Sequence, residues 1–349
     1  MTYLLHRTML PGNIEFHSDL YSPMPVVLSH RRKFKPAQPP QMPMQDMDGP
    51  DNCILCNPEL KDSFLTKRAD TPNCQKRVAQ FLNDYPYLPY QQHVLFMWNE
   101  DLQKRKRNLH RFCLKDLDTL ELYWLLWGCV EHAKAFKRPV DRPDIPRMVV
   151  GFNFGPMAGQ SIPHFHAQCG WDVVLDSNAH SEAHSEQHLD LYLSELRAER
   201  LTIFESEGLL IHAPWTPRGA YAVDIMFKGK FSIEELGEED AKAFAVLGIS
   251  LIRKYLKRGI QNVTIVFTNS AMGCRNEPLV AHFVPRLNVG ALYEIRGVNV
   301  VDTLPQDIVA EFLSVLDESD KLVSWAQLLE VARRHDPNAK YDHRLAHQD

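Results

Sequence analysis

The sequence predicts an α+β fold made of two tandem halves, each reading strand–strand–helix–strand–strand. Three observations carry this reading. Short apolar runs bounded by turn residues recur along the chain, as half-buried strands require. Each half holds one long stretch of helical spacing with an acidic start and a basic end, the arrangement the helix dipole favours. The order of these elements then repeats, which points to a duplication.

Taken in order, Arg77 to Trp98 contains two strand-like runs broken by Asn83-Asp84-Tyr85-Pro86. Asp116 to Phe136 is the first helix, ending near Lys134, Lys137 and Arg138. Arg147 to Phe154 reads as a strand, and a glycine-containing turn leads to another around Phe165 to Val173. In the second half, Leu201 to Ile211 and Ala220 to Phe227 read as two strands, and Glu238 to Leu256 as the helix. Val263 to Thr268 and Leu279 to Leu287 close the repeat, and 306–334 forms a helical segment. The expected division is 1–176, 177–334 and a polar tail at 335–349. Residues 35–50, rich in Pro, Gln and Met, read as a loop.

The chain has 349 residues, 44% of them hydrophobic and 24% charged, with a net charge of -5. This suits a globular protein with a real core. It gives no basic footprint for nucleic acid, so a phosphorylated substrate needs local cations. Seven cysteines with one close pair do not make a disulfide framework. Met1 to Leu10 lacks a long apolar run, and Leu122 to Val130 is too short to cross a bilayer. The expectation is a cytoplasmic protein with neither nucleic-acid nor membrane partners.

The most informative run is Pro163-His164-Phe165-His166-Ala167-Gln168. On a strand, alternate residues share a face, so two imidazoles and a carboxamide converge while Phe165 and Ala167 turn to the core. Upstream, Gly155 and Gly159-Gln160-Ser161 offer backbone amides to a phosphate. Neutral histidine attacks phosphorus readily, and the phosphoramidate it forms passes the group on. His166 is the candidate nucleophile. Gln168 has no proton to lose and can only donate a hydrogen bond to a developing oxyanion. That suits transfer to a second phosphate better than transfer to water. The plain alternative is a pair of structural histidines.

Cys53-Ile54-Leu55-Cys56 has metal-ligand spacing, with ordinary buried cysteines as the alternative. A structural zinc needs four ligands, and His110 and His164 are the best candidates for the remaining two.

These features together resemble galactose-1-phosphate uridylyltransferases and their relatives in the histidine-triad superfamily. The resemblance spans roughly 20–330 and rests on Ser29-His30-Arg31-Arg32-Lys33, Cys53-x-x-Cys56-Asn57-Pro58, Phe81-Leu82-Asn83-Asp84, His110, and the run from Asn153 through Gly159, Ser161, Pro163, His164, His166 and Gln168. It implies two histidine-triad-like halves, each a half-barrel of mostly antiparallel sheet with flanking helices, paired into a homodimer. His166 would be the covalent nucleophile and Gln168 would hold the phosphoryl oxygens. One zinc would sit on Cys53, Cys56, His110 and His164. Arg31, Asn83, Asp84, Asn153, Gly159, Gln160 and Ser161 would line a nucleotide-sugar site.

Two departures matter. The family's second metal site uses a Glu and three His, but Arg275 and Val280 stand at two of the histidine positions, leaving His282 and, as a possible match for the Glu, Glu182. That site is expected to be lost. The sugar-contacting Gly-Tyr-Glu reads Gly297-Val298-Asn299 here, so galactose 1-phosphate is not the expected acceptor. The acceptor is then another phosphorylated molecule or free phosphate. A different class, a zinc-stabilised nucleotide-binding protein without activity, stays open. His180, His184 and His188 lie four apart and read as a solvated helix face, though such spacing can bind metal. Lys104 to Arg107 reads as a solvated basic cluster.

Overall fold

The computed structural model describes residues 5–10, 14–19, 26–29, 53, 55, 78–82, 90–97, 114–135, 148–160, 162, 164–171, 186–268, 278–287, 299–301 and 303–319. Strands β1 (Leu5–Leu10), β2 (Ile14–Asp19) and β3 (Val26–Ser29) open the chain. β4 (Val78–Leu82), β5 (Tyr90–Met97), α1 (Thr119–Ala135), β6 (Met148–Phe154) and β7 (His166–Trp171) form the first half-sheet and its helix. After α2 (Glu186–Ala198) come β8 (Thr202–Glu205), β9 (Leu209–His212), β10 (Val223–Phe227), α3 (Glu238–Lys257), β11 (Val263–Thr268) and β12 (Leu279–Pro285). β13 (Asn299–Val301) and α4 (Pro305–Ser319) follow.

β4 to β12 make one antiparallel sheet in the order β4-β5-β7-β6-β11-β12-β10-β9-β8. The two halves meet at the β6–β11 ladder, which runs from Val263 opposite Phe154 to Phe267 opposite Val150. Its centre is Ile265 opposite Phe152. A half-turn about that pair lays β7 on β12, because Ala167 lies across from Phe152 and Phe283 across from Ile265. His166 then falls on His282, and Gly155 on Thr268.

One face of the sheet is apolar and covered by helices. Leu95, Ala167, Phe152, Ile265, Phe283 and Val223 lie across from one another in register and are buried. α1 packs on β5 and β7 and against α3. The Phe244 ring of α3 meets Phe267 at 5.2 Å and Phe283 at 5.8 Å. α1 starts where a capping box predicts: Glu121 N donates to Asp118 Oδ1 at 2.8 Å, and Asp118 N to Glu121 Oε2 at 3.2 Å. α4 is held to α3 by Tyr255 against Phe312 at 5.3 Å and by an Arg258–Glu311 ion pair.

Two expectations need correction. Leu201 to Ile211 is not one strand but the β8–β9 hairpin, since Ser206 turns the chain by donating from its N to Leu209 O at 2.8 Å and accepting from Leu209 N at 3.1 Å. The sequence also gave no signal for the four-stranded sheet β1-β2-β3-β13, in which β13 pairs with β3 in parallel. His17 of β2 stacks on Trp215 at 4.2 Å and donates from Nδ1 to its carbonyl at 3.2 Å. The expected helix from 306 is described as far as Ser319, and α2 is described from Glu186. Trp124 is core and Trp127 packs at its edge.

Candidate functional site

The face of the sheet away from α1 and α3 carries the chemistry. His166 begins β7, with Gln168 two residues on and on the same face, and Gln168 lies across from Gly151 of β6. Asn153, two residues after Gly151, shares that face and is half-buried.

The tautomer of His166 follows from its partner. Its Nδ1 lies 2.8 Å from the carbonyl oxygen of His164, which can only accept, so Nδ1 carries the proton. The lone pair is left on Nε2, as a nucleophile needs. Burial pushes the imidazole pKa below its ordinary value, and the carbonyl hydrogen bond opposes that only in part. His164 is buried and meets Phe96 edge-on at 5.9 Å.

The turn before β7 is built from its glycines inward. Gly155 has φ +90°, and a Cβ there would sit 2.2 Å from Asn262 Oδ1, so only glycine fits. The same Asn262 oxygen accepts from Met157 N at 3.1 Å. Gly159, at φ +85°, ends the short helical turn Pro156–Ala158 and donates to Pro156 O at 3.0 Å, and Gln160 N donates to Gly155 O at 3.2 Å, so the amides of Gly155, Gly159 and Gln160, expected to face a phosphate, are instead bonded within the turn. Gln160 is buried and works inside the turn: Gly155 N donates to its Oε1 at 2.6 Å, and its Nε2 donates to His164 O at 3.3 Å. The carbonyl that fixes His166 is thus itself held by Gln160, a role visible only in three dimensions.

Of the four expected metal ligands, Cys53 and His164 are described. Cys53 is buried. Both it and His164 act on the charge of His166, which puts a thiol and two imidazoles in one buried neighbourhood. Cys53 and His164 are two donor types that zinc accepts, and among the described residues no group of three or more such donors comes together. Cys56 and His110 lie outside the described residues, as do Arg31, Asn83, Asp84 and Ser161. So do Glu182, His180, His184, Arg275, Val298 and the side chains of His188 and Asn299. No described helix is long and apolar enough to cross a membrane.

A cluster that sequence reasoning missed lies at the symmetry-related place. His282 Nδ1 donates to Asp224 Oδ1 at 2.8 Å, and its Nε2 lies 2.8 Å from Thr268 Oγ1. His212 lies beside them, its Nδ1 3.5 Å from Asp224 O and its Nε2 3.5 Å from the Tyr192 hydroxyl. The residues are far apart in sequence, and only strand register joins them: Asp224 lies across from His282 on one side and His212 on the other.

No family model matches the chain, and no curated protein does. Solved structures do. ADP-glucose phosphorylase from Arabidopsis thaliana with bound ADP-glucose is 18% identical with a TM-score of 0.63, over 86% of this chain and 98% of that one. A GalT-like protein from Arabidopsis thaliana is 16% identical with a TM-score of 0.54, over 68% and 83%. A uridylyltransferase is 17% identical with a TM-score of 0.54, over 69% and 85%. At these identities the likeness is one of fold. The expected α+β architecture and the resemblance to uridylyltransferases are borne out at that level.

Proposed function

We propose that this chain, which folds as uridylyltransferases and ADP-glucose phosphorylase do, is a nucleotidylyltransferase that carries a nucleoside monophosphate on His166. The observation that carries the reading is the His166 hydrogen bond to the His164 carbonyl, 2.8 Å long, which leaves Nε2 as the free lone pair behind a glycine turn. In the first step Nε2 forms a bond to the α-phosphorus of a nucleotide sugar, and the bond from that phosphorus to the departing sugar phosphate breaks. In the second, an oxygen of the acceptor phosphate attacks the same phosphorus and the P–N bond breaks. Gln168 donates to a non-bridging oxygen in both steps, and its lack of a transferable proton favours phosphate over water as acceptor.

The resemblance assigns Arg31, Asn83, Asp84, Asn153, Gly159, Gln160 and Ser161 to the nucleotide side of the site. Gln160 acts there through the turn. A zinc on Cys53, Cys56, His110 and His164 would be structural, tying the 53–56 segment to the nucleophile strand and supplying no step of the reaction. The resemblance further implies a homodimer.

Free phosphate as acceptor is the second reading. It is favoured by the longer fold match to ADP-glucose phosphorylase, over 98% of that chain. Both readings share one test. The protein is incubated with ADP-glucose or UDP-glucose labelled on the α-phosphate, with no acceptor, and then chased with phosphate or a hexose 1-phosphate. A labelled protein adduct is expected, lost in His166→Gly, and released by the true acceptor. Undiminished labelling or turnover in His166→Gly would overturn the covalent route. Nucleotide binding with no adduct at all would favour the non-catalytic class. Galactose 1-phosphate is expected to release the label poorly, because Val298 and Asn299 replace a phenol and a carboxylate that would bond sugar hydroxyls. Each such loss costs on the order of 1–3 kcal/mol.

A further inference from the structure

The half-turn that relates β7 to β12 brings two imidazoles to equivalent places, and their surroundings differ in one telling way. Both carry the proton on Nδ1. In His166 a backbone carbonyl holds it, and Nε2 is left to attack. In His282 the Asp224 carboxylate holds it at 2.8 Å, and Nε2 lies 2.8 Å from the Thr268 hydroxyl. A neutral imidazole whose Nε2 meets a hydroxyl accepts that proton in a hydrogen bond. The connectivity hydroxyl–imidazole–carboxylate is the one by which a general base raises the nucleophilicity of an alcohol.

We propose that Thr268 is a second nucleophile, a hydroxyl that His282 deprotonates and Asp224 holds in register, acting on small uncharged activated esters. Asp224 and His282 are each 7% exposed, whereas Thr268 at the end of β11 is half-buried, so the relay runs from the interior to a residue that reaches the surface. The cross-strand neighbours of Thr268 are apolar: Val280 lies opposite it, and Met226 lies beyond Val280. An acyl chain has a floor there. Burial works against the ionised form of Asp224, while the hydrogen bond from His282 and the charge of Arg218 work for it. A fixed carboxylate so close disfavours a phosphate and tolerates a neutral carbonyl.

The first half has Gly155 where the second has Thr268, and the strands of His166 and His282 are separated by β6 and β11, about 14 Å at ordinary strand spacing. The two centres are therefore distinct. In the step itself, Thr268 Oγ1 bonds to the carbonyl carbon and its proton passes to His282 Nε2. The bond from carbon to the alkoxide oxygen breaks, and that oxygen takes the proton. Water, deprotonated by the same nitrogen, then releases the acid and restores the hydroxyl.

The test uses p-nitrophenyl acetate on the full chain in a His166→Gly background, where acetyl transfer to the first imidazole cannot contribute. A burst of about one p-nitrophenol per chain is expected, with the acetyl group on Thr268 by peptide mass spectrometry. Thr268→Val, nearly isosteric, should abolish the burst, and Thr268→Ser should keep it. Asp224→Asn, which holds the wrong tautomer, should slow it about a hundredfold or more. No burst, or acetyl found only on other residues, overturns the proposal. So does an equal burst from Thr268→Val with an unchanged melting temperature. The mapping keeps the natural Thr268, so it does not depend on how the Thr268 and Asp224 variants fold, and repeating it on the chain with His166 intact removes any dependence on His166→Gly. Thr268→Val should still take up nucleotide label on His166, so the two proposals fail independently.

Discussion

Gln160 uses both ends of its carboxamide within the turn, its oxygen on Gly155 N and its nitrogen on His164 O. The second contact bears on catalysis, since the same carbonyl fixes the tautomer of His166. Gln160→Ala should leave a buried amide and a mobile carbonyl behind. Adduct formation on His166 is expected to slow by at least about tenfold, because small misplacements of a nucleophile are costly. Nucleotide affinity should change less than about threefold. A single-turnover assay against a binding isotherm separates the two, and a loss confined to affinity would make Gln160 a ligand contact instead. At this scale the sequence was legible where chemistry and period coincide. His164, His166 and Gln168 declare their shared face by alternation alone. The function of Gln160 was not legible, because it depends on the positive φ angles of Gly155 and Gly159 that fold the turn back on itself.

Among the elements, β7 carries His166, the proposed nucleophile, and α1 packs on its back. The long helices were readable from spacing and from their acidic starts and basic ends, while the Asp118–Glu121 capping box came to light only in the structure. Short strands were not: β8 and β9, four residues each, merge into one apolar run unless the Ser206 turn is known. β13 escaped because it is three residues long and pairs with β3, far back in the chain, and the local pairs β1–β2 and β2–β3 were not read from the sequence. The element-scale test concerns the proposed zinc. If it binds Cys53 and His164, it anchors the 53–56 segment beside the start of β7. Emission spectroscopy should find about one zinc per chain, and Cys53→Ser should lose it. The melting temperature should drop by several degrees with the metal. A metal-free protein with the same melting temperature would remove the zinc from the account.

For the molecule as a whole, the buried histidines of the second half set an acid limit. Burial lowers the His212 pKa from 6.5 to about 4, against the pull of Asp224 and with help from His282. His282 is lowered too, again chiefly by burial. Between about 4 and 6.5 the unfolded chain holds a proton on His212 that the folded chain does not. Stability therefore rises with pH through that window and is lost on acidification through it. Thermal melts should be flat above pH 7 and fall steadily from about 6.5 towards 4, the window His212 sets. His212→Gln should shallow that fall. A melting temperature that is level across the same range would mean these side chains are hydrated. The cluster went unread in the sequence because Asp224, Thr268 and His282 are brought together only by the pairing of β10, β11 and β12.

The ladder between β6 and β11 has a consequence for ancestry. Its pairs are symmetric about Ile265 and Phe152, so the contact has the geometry of an isologous interface, the same patch meeting itself across a two-fold axis. A lone half would end at β6 with an unpaired strand edge, which favours association with a second copy. Such a seam is what a homodimer of halves would leave behind if a single gene came to encode both. Fusion removes the demand that the copies stay identical. Under that history one imidazole would be free to keep an open nitrogen while the other closed on a hydroxyl, as His166 and His282 do.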